Sequence, residues 1–328
     1  MNSRYEKNIF SCPVNGDDIL FDSEKKLFIS TSGKTYQLID GLPDFFVQDN
    51  HQVTIKQEKF YEKITFPNYD GVENISDLQR KAKRSYFISK LFSDIPSGYD
   101  VLEVGCGTGQ VTNFLGLNKS LTVTGVDMSH SSLIKALEFK NRNNIKNVEF
   151  VRMNIFYPCF KKKFDLVFCS GVLHHTKNPY LGFEKILELL KDDGIIIIGL
   201  YNRFMRLRTH FFQIFKHSNY LKKKGFFDKS IKDLNDKKKI KTWIEDQYYN
   251  PHETSHSFDE LLSWFKKNNI EFLNSFPNND ADLERNLFEK KDPGDMIDRL
   301  FIQFLNIFSN QEGGLFCFVG KKKVNQIS

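Results

Sequence analysis

The chain has 328 residues, 40% of them hydrophobic and 27% charged, which suits one main domain with appendages and a sizeable core. Its five cysteines (Cys12, Cys106, Cys159, Cys169, Cys317) are scattered, which argues against a disulfide framework and for a reducing, cytoplasmic setting. The formal charge of +6 is mild but uneven: Tyr201 to Lys241 holds 13 Lys or Arg against 3 Asp.

The N-terminus shows no apolar core of signal-peptide length, and runs such as Gly194–Leu200 are too short to cross a bilayer. Short strands are predicted at Ile19–Phe21, Leu27–Ser30 and Thr35–Ile39, followed by Asp40, Gly41 and Pro43. Residues 1–47 read as a small β-rich unit of their own, and residues 48–95 as a linker with pre-core helices. One of these helices includes Phe60–Lys63; the next is capped by Ser76 and runs through Leu78 and Phe87 to about Phe92.

Residues 96–323 change to alternating strands and helices. Strands are expected at Asp100–Val104, Leu121–Val126, Val148–Arg152, Phe164–Ser170 and Gly194–Leu200. Helices fall at Gly109–Leu117, Ser129–Arg142 and Tyr180–Lys191, so the pattern predicts an α/β, doubly wound sheet. Two insertions interrupt it, 201–256 and 277–311, the second holding a helix at Met296–Phe308. Between them lie a helix, Phe258–Asn268, capped by Ser257, and a strand, Glu271–Phe276; Gly313–Gly320 closes the pattern.

The strongest motif is Val101-Leu102-Glu103-Val104-Gly105-Cys106-Gly107-Thr108-Gly109-Gln110. A strand runs into a glycine turn that opens a helix, where the backbone can approach a nucleotide closely. Glu103 would repel a pyrophosphate but suits a cationic ligand, and the third glycine comes too early for a dinucleotide fingerprint. At the end of the next strand, Asp127 can accept hydrogen bonds from both hydroxyls of a ribose.

These residues resemble the class I S-adenosylmethionine-dependent methyltransferase family over about Ser76–Leu200 and Phe258–Lys322. The resemblance implies a seven-stranded Rossmann-like sheet whose last strand, Leu315–Val319, inserts antiparallel, with S-adenosyl-L-methionine as cofactor. It implies that Glu103, Gly105, Cys106, Gly107, Thr108 and Gly109 surround the methionine part, while Asp127 binds ribose and Met128 packs on adenine. Asn154, with Ile155, sits where an acidic residue often meets the adenine amino group, and its carbonyl can accept that bond. Ser170 ends the fourth strand beside the donor.

In the same family the loop Gly171-Val172-Leu173-His174-His175-Thr176 lines the transfer pocket. His174 is the candidate general base, with packing on the cofactor or a backbone hydrogen bond as the plainer alternative. Tyr61, Tyr69, His175, Tyr201, Arg203 and His252 are candidates for acceptor contact. His252 and His256 are four apart, but Pro251 and Ser257 mark a loop, so no metal is expected.

After the fifth strand, Phe204, Leu207, Phe211 and Phe215 recur at helical spacing among basic residues. This segment reads as a lid; a peripheral membrane contact through 203–224 and a nucleic-acid surface are the alternatives. Cys12-Pro13, Ser32–Tyr36 and Asp40–Pro43 resemble the small zinc-ribbon-like domain found ahead of some methyltransferases, but Asn15 stands where a second cysteine ligand would be. A metal-free relic of that domain is therefore expected. The function expected is methyl transfer to an O, S or N nucleophile of a small molecule. An RNA base methyltransferase and a quinone-precursor methyltransferase at a membrane surface are the alternatives.

Overall fold

Val101, Leu102, Val123, Leu166 and Val167 are all sealed from water, so their strands are covered on both faces, as the strands of parallel sheets are. The computed structural model describes residues 9–65, 71–207, 250–276, 286–305 and 314–324. Most of both expected insertions lies outside these, as does Tyr69.

The central strands are β5 (Asp100–Val104), β6 (Thr122–Asp127), β7 (Val148–Arg152), β8 (Phe164–Ser170) and β9 (Leu190–Tyr201), all parallel. Beyond β9, strand β11 (Leu315–Lys322) inserts antiparallel between β9 and β10 (Ile270–Phe276). The fold is thus a Rossmann-like mixed α/β sheet. It is wider than the seven strands expected: β1 (Ile19–Asp22), β2 (Leu27–Ser30), β3 (Thr35–Ile39) and β4 (Leu42–Asp44) join it through the pairing of β4 with β7. Phe10, Phe28 and Phe45 pack together and, through Phe160, against Phe164 of β8, so the N-terminal strands share the core of the main sheet.

Strand β4 was not expected, because Gly41 and Pro43 read as breakers. Asp40 and Gly41 both adopt positive φ, 51° and 82°, and form a two-residue hairpin turn closed by Ile39 and Leu42. Pro43 lies opposite Leu38, whose own N–H goes to Lys26 on the other side, so proline deprives β3 of no bond.

Helix α1 (Gln52–Lys63) precedes two short helices where one was expected, α2 (Ile75–Ala82) and α3 (Tyr86–Asp94). Asn74, not Ser76, caps α2 by accepting the Asp77 N–H, and Ser85 starts α3 by accepting the Ile88 N–H. Helices α4 (Gln110–Leu115) and α5 (His130–Arg142) follow β5 and β6. Helix α6 (Pro179–Leu187) ends earlier than expected, since Leu190 already pairs with Phe164 in the sheet. Helix α7 (Phe258–Lys267) begins in a capping box of Ser257 and Glu260.

Helix α8 (Met296–Leu305) is docked by its polar residues. Gln303 is buried and accepts from Asn202 Nδ2 (3.0 Å) and the Phe258 N–H (3.1 Å), while Arg299 Nε meets Asp259 Oδ1 at 2.9 Å. Met296, Ile297, Phe301 and Phe304 point the other way, each more than half exposed. Among the described residues no helix is long and apolar enough to cross a membrane.

Gly109 shows how tightly the turn after β5 is held. Its φ is +71°, and a Cβ there would lie 2.6 Å from the Ala136 Cβ and 2.7 Å from the Phe150 ring. Gly109→Ala is expected to cost about 2–4 kcal/mol of stability from backbone strain and overpacking. Urea denaturation followed by circular dichroism checks this, and a loss below 1 kcal/mol would contradict the packing described.

Candidate active site

The site sits at the carboxyl ends of β5, β6 and β8, where strand order turns back on itself and open α/β sheets bind ligands. Gly105, Gly107 and Gly109 have φ of 73°, 53° and 71°, so the chain bends there in a conformation that side chains resist. The bend is tied to β6 by backbone bonds from Gly105 and Cys106 to the Val126 carbonyl. Asp127 completes the tie: Oδ2 accepts the Gly107 N–H and Oδ1 the Ser129 N–H, both at 2.8 Å. A Cβ on Gly105 would lie 2.2 Å from Val172, so the loop after β8 is pressed onto the same turn.

Glu103, one residue before the end of β5, is buried, and its carboxylate accepts the Thr112 hydroxyl. Burial pushes its pKa up to about 8, with the Thr112 bond pulling the other way. Burial also raises the Asp127 carboxyl, opposed by the backbone N–H groups of Ser129 and Gly107. Two carboxyls short of positive charge therefore stand beside a glycine turn.

Both line a cavity of about 410 Å³. Gly105, Cys106, Gly107 and Met128 line it beside them, and Asn154, Ile155 and Ser170 border it farther along. Thr108 and Gly109 do not; Thr108 is fully buried and both belong to the support of the turn. Asn154 is fixed by donating to the Val47 carbonyl (2.9 Å) and accepting the Phe156 N–H (3.1 Å), which leaves its Oδ1 a second lone pair.

The candidate base, His174, and the described candidates for acceptor contact divide. Tyr61, His175 and Tyr201 line the cavity; His174, Arg203 and the His252 side chain do not. Leu173–His175 form a 3-10 turn that sends the two histidines to different surroundings. His174 is fully buried, stacks on Tyr201 at 3.8 Å, and accepts the Tyr201 N–H at Nδ1 (3.3 Å). His175 donates from Nδ1 to the His252 carbonyl at 2.9 Å, which leaves Nε2 as its unprotonated nitrogen. Burial holds His175 neutral, its pKa lowered to about 4, and drives His174 well below the usual range. Arg203 is exposed, 3.8 Å from Glu260.

Residues not singled out from sequence complete the wall. Thr54 and Gln57 of α1, Ile88 of α3 and Leu315 of β11 line the cavity, and their positions follow from tertiary packing rather than from any local signal. The Arg206 guanidinium lies 3.9 Å from the Tyr201 ring and pairs with Glu253, Nε to Oε1 at 2.9 Å, in a buried contact. With the His256 N–H on the Tyr201 carbonyl and the Arg203 N–H on the His256 carbonyl, both ends of the first insertion are stapled together.

The raised carboxyls and the lowered histidines act in opposite senses on the pH dependence of the ligand-free protein. Between about 4.5 and about 8 the folded form keeps a proton on Glu103 that the unfolded chain has released, so its contribution to stability falls as pH rises through that window. Above about pH 7, where the histidines of the unfolded chain are neutral as well, melting temperature should decline towards pH 8 in the wild type and decline less in Glu103→Gln. Identical slopes in the two proteins would contradict the burial of an ionisable group there.

A family model described as a methyltransferase domain matches residues 95–268, more than half of the chain. The chain is 32% identical over 151 residues to a ubiquinone biosynthesis O-methyltransferase of Rickettsia bellii, covering 44% of this chain and 61% of that protein. It therefore spans less than two thirds of that relative's length. It is 24% identical over 274 residues to phosphoethanolamine N-methyltransferase 2 of Caenorhabditis elegans, covering 81% of this chain and 57% of that one. Among solved structures, the plantazolicin methyltransferase BpumL in complex with a triazolic desmethylPZN analog and SAH aligns with a TM-score of 0.49 and 17% identity, over 83% of this chain and 98% of that chain. PKMT2 from Rickettsia typhi, in complex with AdoHcy, aligns with the same TM-score and identity over 72% and 52%. On the strength of the family model, this chain belongs to the S-adenosylmethionine-dependent methyltransferases.

Proposed function

We propose that the chain transfers the methyl group of S-adenosyl-L-methionine to an O, S or N nucleophile of a small, uncharged acceptor. The observation that carries this reading is the cavity itself, one continuous cleft that runs from Glu103 and Asp127 to Tyr61, His175 and Tyr201.

The residues fit the donor. When bound, S-adenosylmethionine supplies an electrophilic methyl group on a positively charged sulfur. Glu103 offers buried negative charge to the cationic methionine part, Asp127 keeps lone pairs for ribose hydroxyls, and Met128 and Ile155 offer apolar surface to a base. The second lone pair of Asn154 Oδ1 suits an adenine amino group. Tyr61 and Tyr201 wall the far end, where holding the nucleophile in line supplies part of the rate. His175 Nε2 takes the proton of an acceptor that must lose one, and His174 is placed to support Tyr201 from behind.

The charge of the acceptor follows from the walls. Among the described residues no Lys or Arg lines the cavity, Glu103 and Asp127 make it acidic, and burial keeps His175 neutral. A carboxylate or phosphate on the acceptor would meet no cationic side chain among the described lining residues.

A second reading, quinone-precursor methylation at a membrane surface, is favoured by the outward apolar face of α8 and by the function printed for the Rickettsia bellii relative. We read the N-terminal strands as a zinc-ribbon-like unit without metal. Cys12 Sγ lies 3.0 Å from Tyr36 Oη, and Asn15 bonds Asp17 and Ser32 where a second ligand would stand.

Purified protein, radiolabelled donor and a cell extract split into water-soluble small-molecule, lipid and RNA fractions test the assignment. Label is expected among small molecules; label in lipid would favour the membrane reading, and label in RNA would refute both. Asp127→Ala should weaken donor binding at least ~10-fold, the loss of hydrogen bonds to a charged group. His175→Ala should lower kcat ~100-fold with donor affinity within about twofold; a wild-type rate would remove its role as base.

A further inference from the structure

Helix α1 reaches over the cavity, and Gln57 on its inner face is 4% exposed. Its Nε2 donates to Asn250 Oδ1 at 2.6 Å and to the His252 carbonyl at 3.0 Å. The orientation of the amide follows from chemistry, because a backbone carbonyl only accepts. Asn250 is fixed in the same way: its Oδ1 also accepts the His252 N–H, and its Nδ2 donates to Tyr61 Oη at 3.0 Å. Gln57 and Tyr61 of α1 thus grip the segment 250–252 as it returns from the first insertion.

The carbonyl that Gln57 holds is the one that accepts the His175 Nδ1–H. Both Nε2 hydrogens of Gln57 are spent on this segment, and among the described residues its Oε1 has no hydrogen-bond partner. Gln57 lines the cavity, and its two donations fix this segment and, with it, the aim of one carbonyl at one imidazole nitrogen. His174, in the adjacent position, carries the opposite pattern, with Nδ1 accepting a backbone N–H.

We propose that Gln57 is a positioning residue for His175: by holding the His252 carbonyl it fixes the proton on Nδ1 and presents the bare Nε2 to the methyl acceptor. The proposal rests on the methyltransferase reading for the purpose of that nitrogen, whereas the tautomer can be observed without any acceptor. It also gives α1, which precedes the main sheet, a task at the far end of the cavity.

The test uses the full chain labelled with ¹⁵N-histidine. Long-range ¹H–¹⁵N spectra distinguish the two neutral tautomers, and His175→Gln identifies the His175 signals by their disappearance. The wild type should show a neutral ring protonated at Nδ1. Gln57→Met removes the donors at similar size, and Gln57→Glu keeps the shape without them, so one can report where the other does not fold. In either, the fixed Nδ1–H form should give way to tautomer exchange or to a doubly protonated ring. Once an acceptor is in hand, kcat should fall about tenfold with the donor KM unchanged.

An Nε2–H ring in the wild type, or a neutral Nδ1–H ring retained in both Gln57 variants, would overturn the proposal. Binding of S-adenosylhomocysteine, measured by calorimetry on the same samples, separates the two ideas. Its absence sinks the methyltransferase reading, while the spectra still decide the role of Gln57.

Discussion

The site depends on the hydrogen bonds between the glycine turn after β5 and the carboxylate of Asp127. The turn needs three residues at positive φ, which no run of ordinary side chains would adopt unaided. Asp127, at the end of the neighbouring strand, receives the Gly107 N–H and the N–H that opens α5, so one side chain locks two strand ends together. Glu103, buried, and Asp127, half-buried, are thereby held beside one another in one cleft. Their charge is costly there, and on the proposed reading a ligand with positive charge and hydroxyl groups relieves that cost.

The other end of the cavity is built differently. No single strand supplies it; Tyr61 comes from α1, His175 from the turn after β8, and Tyr201 from the end of β9. These parts are tied by contacts distant in sequence, including Gln57 to His252 and the buried pair of Arg206 with Glu253. A buried ion pair contributes little net stability against an apolar substitute, but it specifies one arrangement where both partners are well bonded. Here it fixes the root of a long insertion against the ring of Tyr201, while His174 supports that ring by stacking. On the proposed reading, donor binding depends on the turn chemistry of the sheet and acceptor binding on appendages that can vary independently.

That difference explains what was legible in the sequence. Strands such as Gly194–Leu200 stood out as short apolar runs rich in β-branched residues, and Glu103, the glycines and Asp127 sit at fixed offsets from strand ends. The antiparallel insertion of β11 followed from family resemblance rather than from the residues themselves. Strand β4 was hidden by Pro43, whose harmlessness depends on which side of the ladder it faces. Which of His174 and His175 meets the cavity depends on the rotation of one 3-10 turn, a matter that residue spacing does not carry. Gln57 was invisible, because a glutamine on a polar helix becomes a buried donor only when a segment 193 residues later packs on it.

The central claim is that Glu103 is a buried carboxyl whose proton is displaced by a cationic methyl donor. Calorimetry of S-adenosylmethionine binding at pH 7, in buffers of different ionisation enthalpy, counts the protons exchanged. The account predicts release of close to one proton in the wild type, since Glu103 titrates near 8 in the ligand-free protein, and its disappearance in Glu103→Gln. Binding with no proton release, or release unchanged in Glu103→Gln, would contradict it.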